Sequence, residues 1–204
     1  MTSPARQWLT EQEYLEIERA ADVRSEFFAG EMFAMAGASL EHSLITANVT
    51  GELRAQLKRR PCRVVSADMR VRVSMTGLYT YPDVVVICEE PQLADEHVDT
   101  LLNPTLIVEV LSPTTEAYDR GDKFAQYRRL ESLREYVLIA QDRQRIERYV
   151  RQSEGQEWLL SEISDPAGRV PLTAIGCELA LTEVYDKVSL PEGENPLRRR
   201  AAGG

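Results

Sequence analysis

Cysteine is scarce in this chain, and its three copies, Cys62, Cys88 and Cys177, lie far apart. No pair has the close spacing of a zinc motif and no set suggests a disulfide framework. The expectation is three buried, inert thiols. No apolar run is long enough to span a bilayer, so no membrane partner is expected. The opening residues, MTSPARQWLTEQEY, lack the apolar core of a signal peptide, which makes the cytoplasm the expected location. Positive charge is also in deficit: 24 Lys and Arg stand against 33 Asp and Glu, a net charge of −9. That argues against a broad basic surface that binds nucleic acid without selectivity, and leaves room for a local basic groove.

The chain does not lack core-forming residues. Of 204 residues, 43% are hydrophobic and 28% charged, which argues against disorder of the whole and allows one sizeable core. A single domain is expected over 1–188. The stretch 189–204, rich in Pro, Gly and Arg, is expected to be a disordered tail.

Local patterns give most of the elements. Thr10 and Glu13 form a capping box, with Trp8 or Leu9 as a staple, and Tyr14 and Ile17 give that helix an apolar side. Arg24 to Ala36 reads as two strands around Ala29-Gly30, with Arg24, Glu26 and Phe28 on one face. Ser39 caps a helix whose stripe is Ile45, Val49, Leu53 and Leu57, and His42 projects near its start. Cys62 to Ser74 alternates as one half-exposed strand: Asp68 is expected to pair with a neighbouring Arg on the polar face, the alternative being that Arg70 and Arg72 help hold a phosphate backbone. Residues 89–99 are acidic and read as a solvated loop holding His97. Further strands are expected at Glu135–Ala140, Ile146–Arg151 and Glu157–Ile163, the last two joined by a turn at Gly155, with one more within Leu172–Leu181. The sum is an α/β or α+β sheet with helices packed on it.

The stretch Tyr81 to Tyr127 carries the chemistry. Pro82-Asp83 opens the strand Val84-Val85-Val86-Ile87. Glu109 lies inside Leu106-Ile107-Val108-Glu109-Val110-Leu111, a run typical of a strand buried on both faces. A carboxylate buried without a partner costs several kcal/mol, so Glu109 must be paired, protonated, metal-bound or at an open strand end. Asp83 also fits a plain turn or cap role, and Lys123 a helix pair with Asp119. Together, two carboxylates suit a hard cation such as Mg2+ or Mn2+, and a nearby ammonium suits a phosphoryl substrate. An ordinary Lys pKa near ~10.4 assigns Lys123 an electrostatic role rather than that of a free base.

These residues resemble the Uma-two family of restriction endonuclease-like proteins, within the PD-(D/E)XK nuclease superfamily. The resemblance spans roughly Trp8 to Val184. It rests on Ser25-Glu26-Phe27, Gly30-Glu31, Ala38-Ser39-Leu40-Glu41-His42 and Ser66-Ala67-Asp68-Met69-Arg70-Val71. Tyr81-Pro82-Asp83, Val108 through Thr115, and Asp119 through Lys123 to Tyr127 complete it. It implies a restriction-endonuclease-like fold, a central mixed sheet flanked by helices. It implies Asp83 and Glu109 as metal ligands, with the Val110 carbonyl as an extra one, and Lys123 as the catalytic lysine. The superfamily's Lys two residues after the Glu is replaced here by Leu111. Glu26, His42 and Tyr127 become secondary candidates.

The expected function is therefore a magnesium-dependent endonuclease hydrolysing phosphodiester bonds of DNA, with a non-catalytic binding or regulatory module on the same fold as the alternative. One such site cuts one strand, so a duplex substrate favours a second copy, and a two-fold homodimer is expected.

Overall fold

The computed structural model describes residues 8–152 and 157–191. The Gly155 turn and the chain from 192 lie outside them. The first helix, α1 (Glu11–Ala20), starts as its residues dictate. The Thr10 hydroxyl accepts from the Glu13 N–H and the Glu13 carboxylate accepts from the Thr10 N–H, closing the capping box. Leu9 packs with Tyr14 against Phe27 and Tyr79, completing the staple. The inward pair is Tyr14 and Glu18; Ile17 is exposed, contrary to expectation.

β1 (Ser25–Phe28) and β2 (Glu31–Ala34) form the expected hairpin, with Ala29 and Gly30 both at positive φ. A Cβ on Gly30 would lie 2.9 Å from the Trp8 ring, so the turn needs glycine for space as well as for φ. α2 (Leu40–Leu57) buries Ile45, Val49, Leu53 and Leu57 as the four-residue spacing predicts.

The expected single strand from 62 to 74 is instead two. β3 (Arg63–Ser66) and β4 (Arg70–Val73) are divided by a turn in which the Met69 N–H reaches the Ser66 carbonyl. β3 and β4 join different sheets, so the alternation of apolar residues continues across a change of partner. β5 (Leu78–Thr80) and β6 (Val84–Ile87) are likewise split between the sheets at Tyr81-Pro82, where proline supplies no ladder N–H. The loop 89–101 is less open than expected. It carries the short β7 (Thr100–Leu101), and Leu93 bridges to Leu101.

β8 (Leu106–Leu111) and β9 (Glu135–Ala140) are buried along their whole length and pair in parallel. Between them run a short helix α3 (Glu116–Tyr118), a wide π turn (Asp119–Lys123) and α4 (Phe124–Tyr127), where one continuous helix was expected. β10 (Ile146–Arg151) and β11 (Trp158–Ile163) extend the sheet as a meander. β12 (Arg169–Leu172) and β13 (Cys177–Ala180) form a separate hairpin where one strand was expected, followed by α5 (Leu181–Val184).

Two mixed sheets result, ordered β2-β1-β5-β4-β7 and β11-β10-β9-β8-β6-β3. The larger sheet is covered on both faces. α2, the β12–β13 hairpin and α5 pack on Val84, Val86, Val108, Val110, Val137 and Ile139. The smaller sheet and α4 pack on Val85, Ile107, Leu111, Tyr136 and Leu138. Glu109 falls between Ile107 and Leu111 on that second face.

Cys62 and Cys88 are joined in a disulfide, and only Cys177 is the buried free thiol that was expected. The cause is register. Arg63 pairs with Ile87 across β3 and β6, so the next residues outward, 26 apart in sequence, meet in space. Cys88 lies five residues along the strand from Asp83, roughly 16 Å at the usual strand rise.

Candidate active site

The site forms where the chain crosses between the sheets. The β6–β8 register, Val84 opposite Val108, continues one pair outward to set Asp83 opposite Glu109. The β1–β5 register, Phe27 opposite Tyr79, continues the same way to set Glu26 opposite Thr80. Opposed residues on antiparallel strands project to the same face. Asp83 and Thr80 are only three residues apart, so each sheet contributes a carboxylate to one junction.

The π turn supplies the cation. Asp119, Lys123 and Tyr127 are all buried on one side of it. Lys123 Nζ lies 3.0 Å from Glu109 Oε1, 2.9 Å from Glu26 Oε1 and 3.5 Å from Asp119 Oδ1. The helix pair with Asp119 and the approach to Glu109 are therefore both realised. The Tyr127 hydroxyl donates to Glu109 Oε1 at 2.9 Å, and Thr80 Oγ1 donates to Glu26. The Tyr136 hydroxyl donates to the Asp119 carbonyl at 3.1 Å and braces the turn from beneath.

Asp83 is held from two sides. The Val110 N–H donates to Asp83 Oδ2 at 2.7 Å, and His42 Nε2 lies 3.2 Å from the same oxygen. His42 reaches it from the first turn of α2, which is set by the Ser39 cap on the His42 N–H. Asp83 is thus held across the strands by β8 and by His42, and not in the plain turn or cap role its place after Pro82 allowed. All six candidate side chains, Glu26, His42, Asp83, Glu109, Lys123 and Tyr127, are brought together in one chain of contacts.

The sequence marks Asp119 only as a helix partner of Lys123, and nothing in it marks Thr80. The signal for Asp119 was its four-residue spacing from Lys123. Thr80 follows only from strand pairing. Arg70 and Arg72 are corrections. Arg70 is buried and bonded to Asp99, Thr100 and the Tyr81 hydroxyl; Arg72 is paired with Glu11 at 2.7 Å. Their partners lie within the chain, so a phosphate role is not available to them. Asp68 does pair with an arginine, Arg24, across 2.8 Å.

The electrostatics are lopsided. Glu26, Asp83, Glu109 and Asp119 face one Lys123 and one His42. Burial pushes the Glu109 carboxyl up to about 8; Lys123 opposes this, while Asp119 and Asp83 add to it. Burial likewise raises Asp119 against the pull of Lys123. Burial draws Lys123 down, but Glu109, Glu26 and Asp119 outweigh it and hold the ammonium well above its usual range. His42 is drawn down by burial and raised, on balance, by its bond to Asp83 and the charge of Asp119.

An excess of buried carboxylate over cation suits a hard metal ion. Asp83 and Glu109 are oxygen donors at one place, and the Val110 backbone adjoins them through its N–H to Asp83. Among the described residues no three Asp, Glu, His or Cys side chains gather at ligand spacing. A two-carboxylate set suits Mg2+, which keeps several waters. Side-chain exposure rises from 4% at Asp119 and 5% at Glu109 to 12% at Glu26, 14% at Asp83 and 17% at His42. The mouth opens on the Glu26–Asp83–His42 side.

The mixed sheets flanked by helices agree with a restriction-endonuclease-like fold. The chain belongs to the Uma2 family, described as "Putative restriction endonuclease", which it matches over residues 11–182. Two uncharacterized proteins of Synechocystis sp. (strain ATCC 27184 / PCC 6803 / Kazusa) are similar. One, sll1609, is 40% identical over 155 residues, covering 76% of this chain and 87% of that protein. The other, slr1290, is 33% identical over 177 residues, covering 87% and 91%. The fold also matches the crystal structure of "a putative nuclease belonging to DUF820" from Anabaena variabilis ATCC 29413. The TM-score is 0.72 at 19% identity, covering 89% of this chain and 99% of that one. Among the described residues no helix is long and apolar enough to cross a membrane.

Proposed function

We propose that the chain is a cytoplasmic endonuclease that hydrolyses phosphodiester bonds of DNA with the aid of Mg2+ or Mn2+. The observation that carries this reading is Lys123 Nζ at 3.0 Å from Glu109, with Asp83 directly across the strand pair. Asp83 and Glu109 are the residues that would hold the cation, with the Val110 carbonyl beside them. When bound, the ion stabilises charge on a phosphoryl oxygen and lowers the pKa of a coordinated water.

The remaining residues have distinct tasks in this reading. Tyr127 and Lys123 both engage Glu109 Oε1, which leaves Oε2 turned toward Asp83. Glu26 and Asp119 hold Lys123 in place and keep it charged. A lysine so held is a stabiliser of transition-state charge and not a base. His42 fixes the Asp83 carboxylate from the α2 side. The lysine missing from the position of Leu111 is replaced in space from the π turn.

The reading also pairs two copies of the chain through β11, the edge of the larger sheet. Leu159 and Leu160 are 60% and 51% exposed there. An open apolar edge strand invites pairing with another strand.

A second reading, a binding module without chemistry, is favoured by one observation: Lys123 already has three carboxylate partners. Cleavage of end-labelled DNA in Mg2+ against EDTA separates the two. The nuclease reading expects magnesium-dependent cleavage, with Lys123→Met slower by roughly 10²–10³. Intact DNA that stays bound to the wild type in Mg2+ and in Mn2+ would leave the binding module.

A further inference from the structure

We propose that DNA reaches this site as an unpaired strand, whose bases stack on Phe33 and Tyr118 at its mouth. The inference rests on the nuclease reading and adds the substrate class to it.

Phe33 is the register partner of Glu26 across β1 and β2, so the two side chains share a face. Its neighbour Met32 turns to the other face, against Tyr14, Phe27 and Tyr79. Phe33 has no such core to enter and is 50% exposed beside the Glu26–Lys123 pair. Tyr118, 37% exposed, closes the other flank: its ring centroid lies 5.9 Å from Lys123 Nζ. Among the described residues the ring contacts form two clusters, one around Tyr14 and one around Phe124 and Tyr136. Phe33 and Tyr118 belong to neither.

The exposed Phe33 ring and the outer face of Tyr118, whose inner face lies over Lys123 Nζ, therefore adjoin the lysine of the site. Every base has a π face, and an unpaired strand offers those faces while a duplex keeps them inside its own stack. Duplex binding instead draws on many lysine and arginine contacts to phosphate. Here the net charge is −9, and two arginines near the site, Arg120 of the π turn and Arg145, are already engaged. Arg120 is bonded to Glu116 and Glu147, and Arg145 to Glu116. A phosphate at Lys123 with bases on the two rings uses what the mouth presents.

The test is a single-stranded 12-nucleotide DNA carrying 2-aminopurine, and the same strand in a duplex. Both are bound to the full chain in Ca2+ and then cleaved in Mg2+. The expected result is quenching of the single strand's fluorescence and weaker binding of the duplex. Phe33→Ala and Tyr118→Ala should each weaken single-strand binding about tenfold and raise KM alike. Phe33→Tyr and Tyr118→Phe should restore both. Both positions are exposed, so folding is not at stake. Equal binding of duplex and single strand, or alanine variants that bind the single strand normally, would overturn the proposal. Cleavage without quenching would sink the stacking and spare the nuclease. Quenching that depends on both rings, with no cleavage in any divalent metal, would sink the nuclease and leave the stacking.

Discussion

Glu109 is the buried carboxyl at the centre of the candidate site. Its carboxyl is buried among other carboxyls and is pushed up to about 8 from an ordinary 4.5. Between those values the native chain keeps a proton that the unfolded chain has released, so stability falls as pH rises through the window. Asp119 and His42 are also raised, and both act in the same direction. The melting temperature in EDTA should therefore drop from pH 5.5 to pH 8. Glu109→Gln should flatten that drop and melt above the wild type at pH 8. An equal drop in both proteins would contradict the burial of this charge. At this scale the sequence was legible where a residue type conflicts with its surroundings. A glutamate in an apolar strand, an aspartate after proline and a lysine early in a helix all stood out. Asp119 and Thr80 did not, because nothing local marks a residue whose partner lies on another element. Cys62 and Cys88 were misread for the same reason: their pairing depends on strand register and not on spacing.

Elements were legible when one period held from end to end. α2 repeats its apolar residues every fourth position, and the structure buries all four of Ile45, Val49, Leu53 and Leu57. Cys62 to Ser74 also keeps one period, yet it changes sheets at a turn, and alternation carries no record of which sheet a strand joins. The π turn was hidden because Asp119, Lys123 and Tyr127 keep the four-residue spacing of an α-helix. The wide turn lets Lys123 and Phe124 both point inward while Gly121 and Asp122 stay exposed. Wide turns of this kind are frequent at functional sites. α2 allows a direct check of its own. Gly51 sits in its interior with nothing within 4 Å of an added Cβ. Gly51→Ala should stabilise the chain by about 0.5–1 kcal/mol in urea unfolding, without altering any property of the site. A loss of stability would mean that the helix face at Gly51 is covered.

For the whole molecule, the sequence indicated a mixed sheet with helices, and a second sheet packed on the first was not foreseen. Its strands are short, and two of them, β4 and β5, fall in the chain between β3 and β6 of the larger sheet, a division no periodicity records. That division puts Glu26 and Thr80 on one sheet and Asp83 and Glu109 on the other, with the π turn closing the gap. The open edge at β11 predicts a two-fold pair. Light scattering across a micromolar concentration series should give twice 23.1 kDa. Leu160→Lys should return it to a single chain, and a wild-type mass of one chain throughout would remove the dimer. The central proposal is a metal site at Asp83 and Glu109, at the end of the larger sheet that meets the smaller one. Titration calorimetry with Mn2+ tests it most directly, on the wild type and on the Asp83→Asn, Glu109→Gln double variant. The account predicts binding in the wild type that is lost in a folded double variant; equal affinity in the two proteins would contradict it.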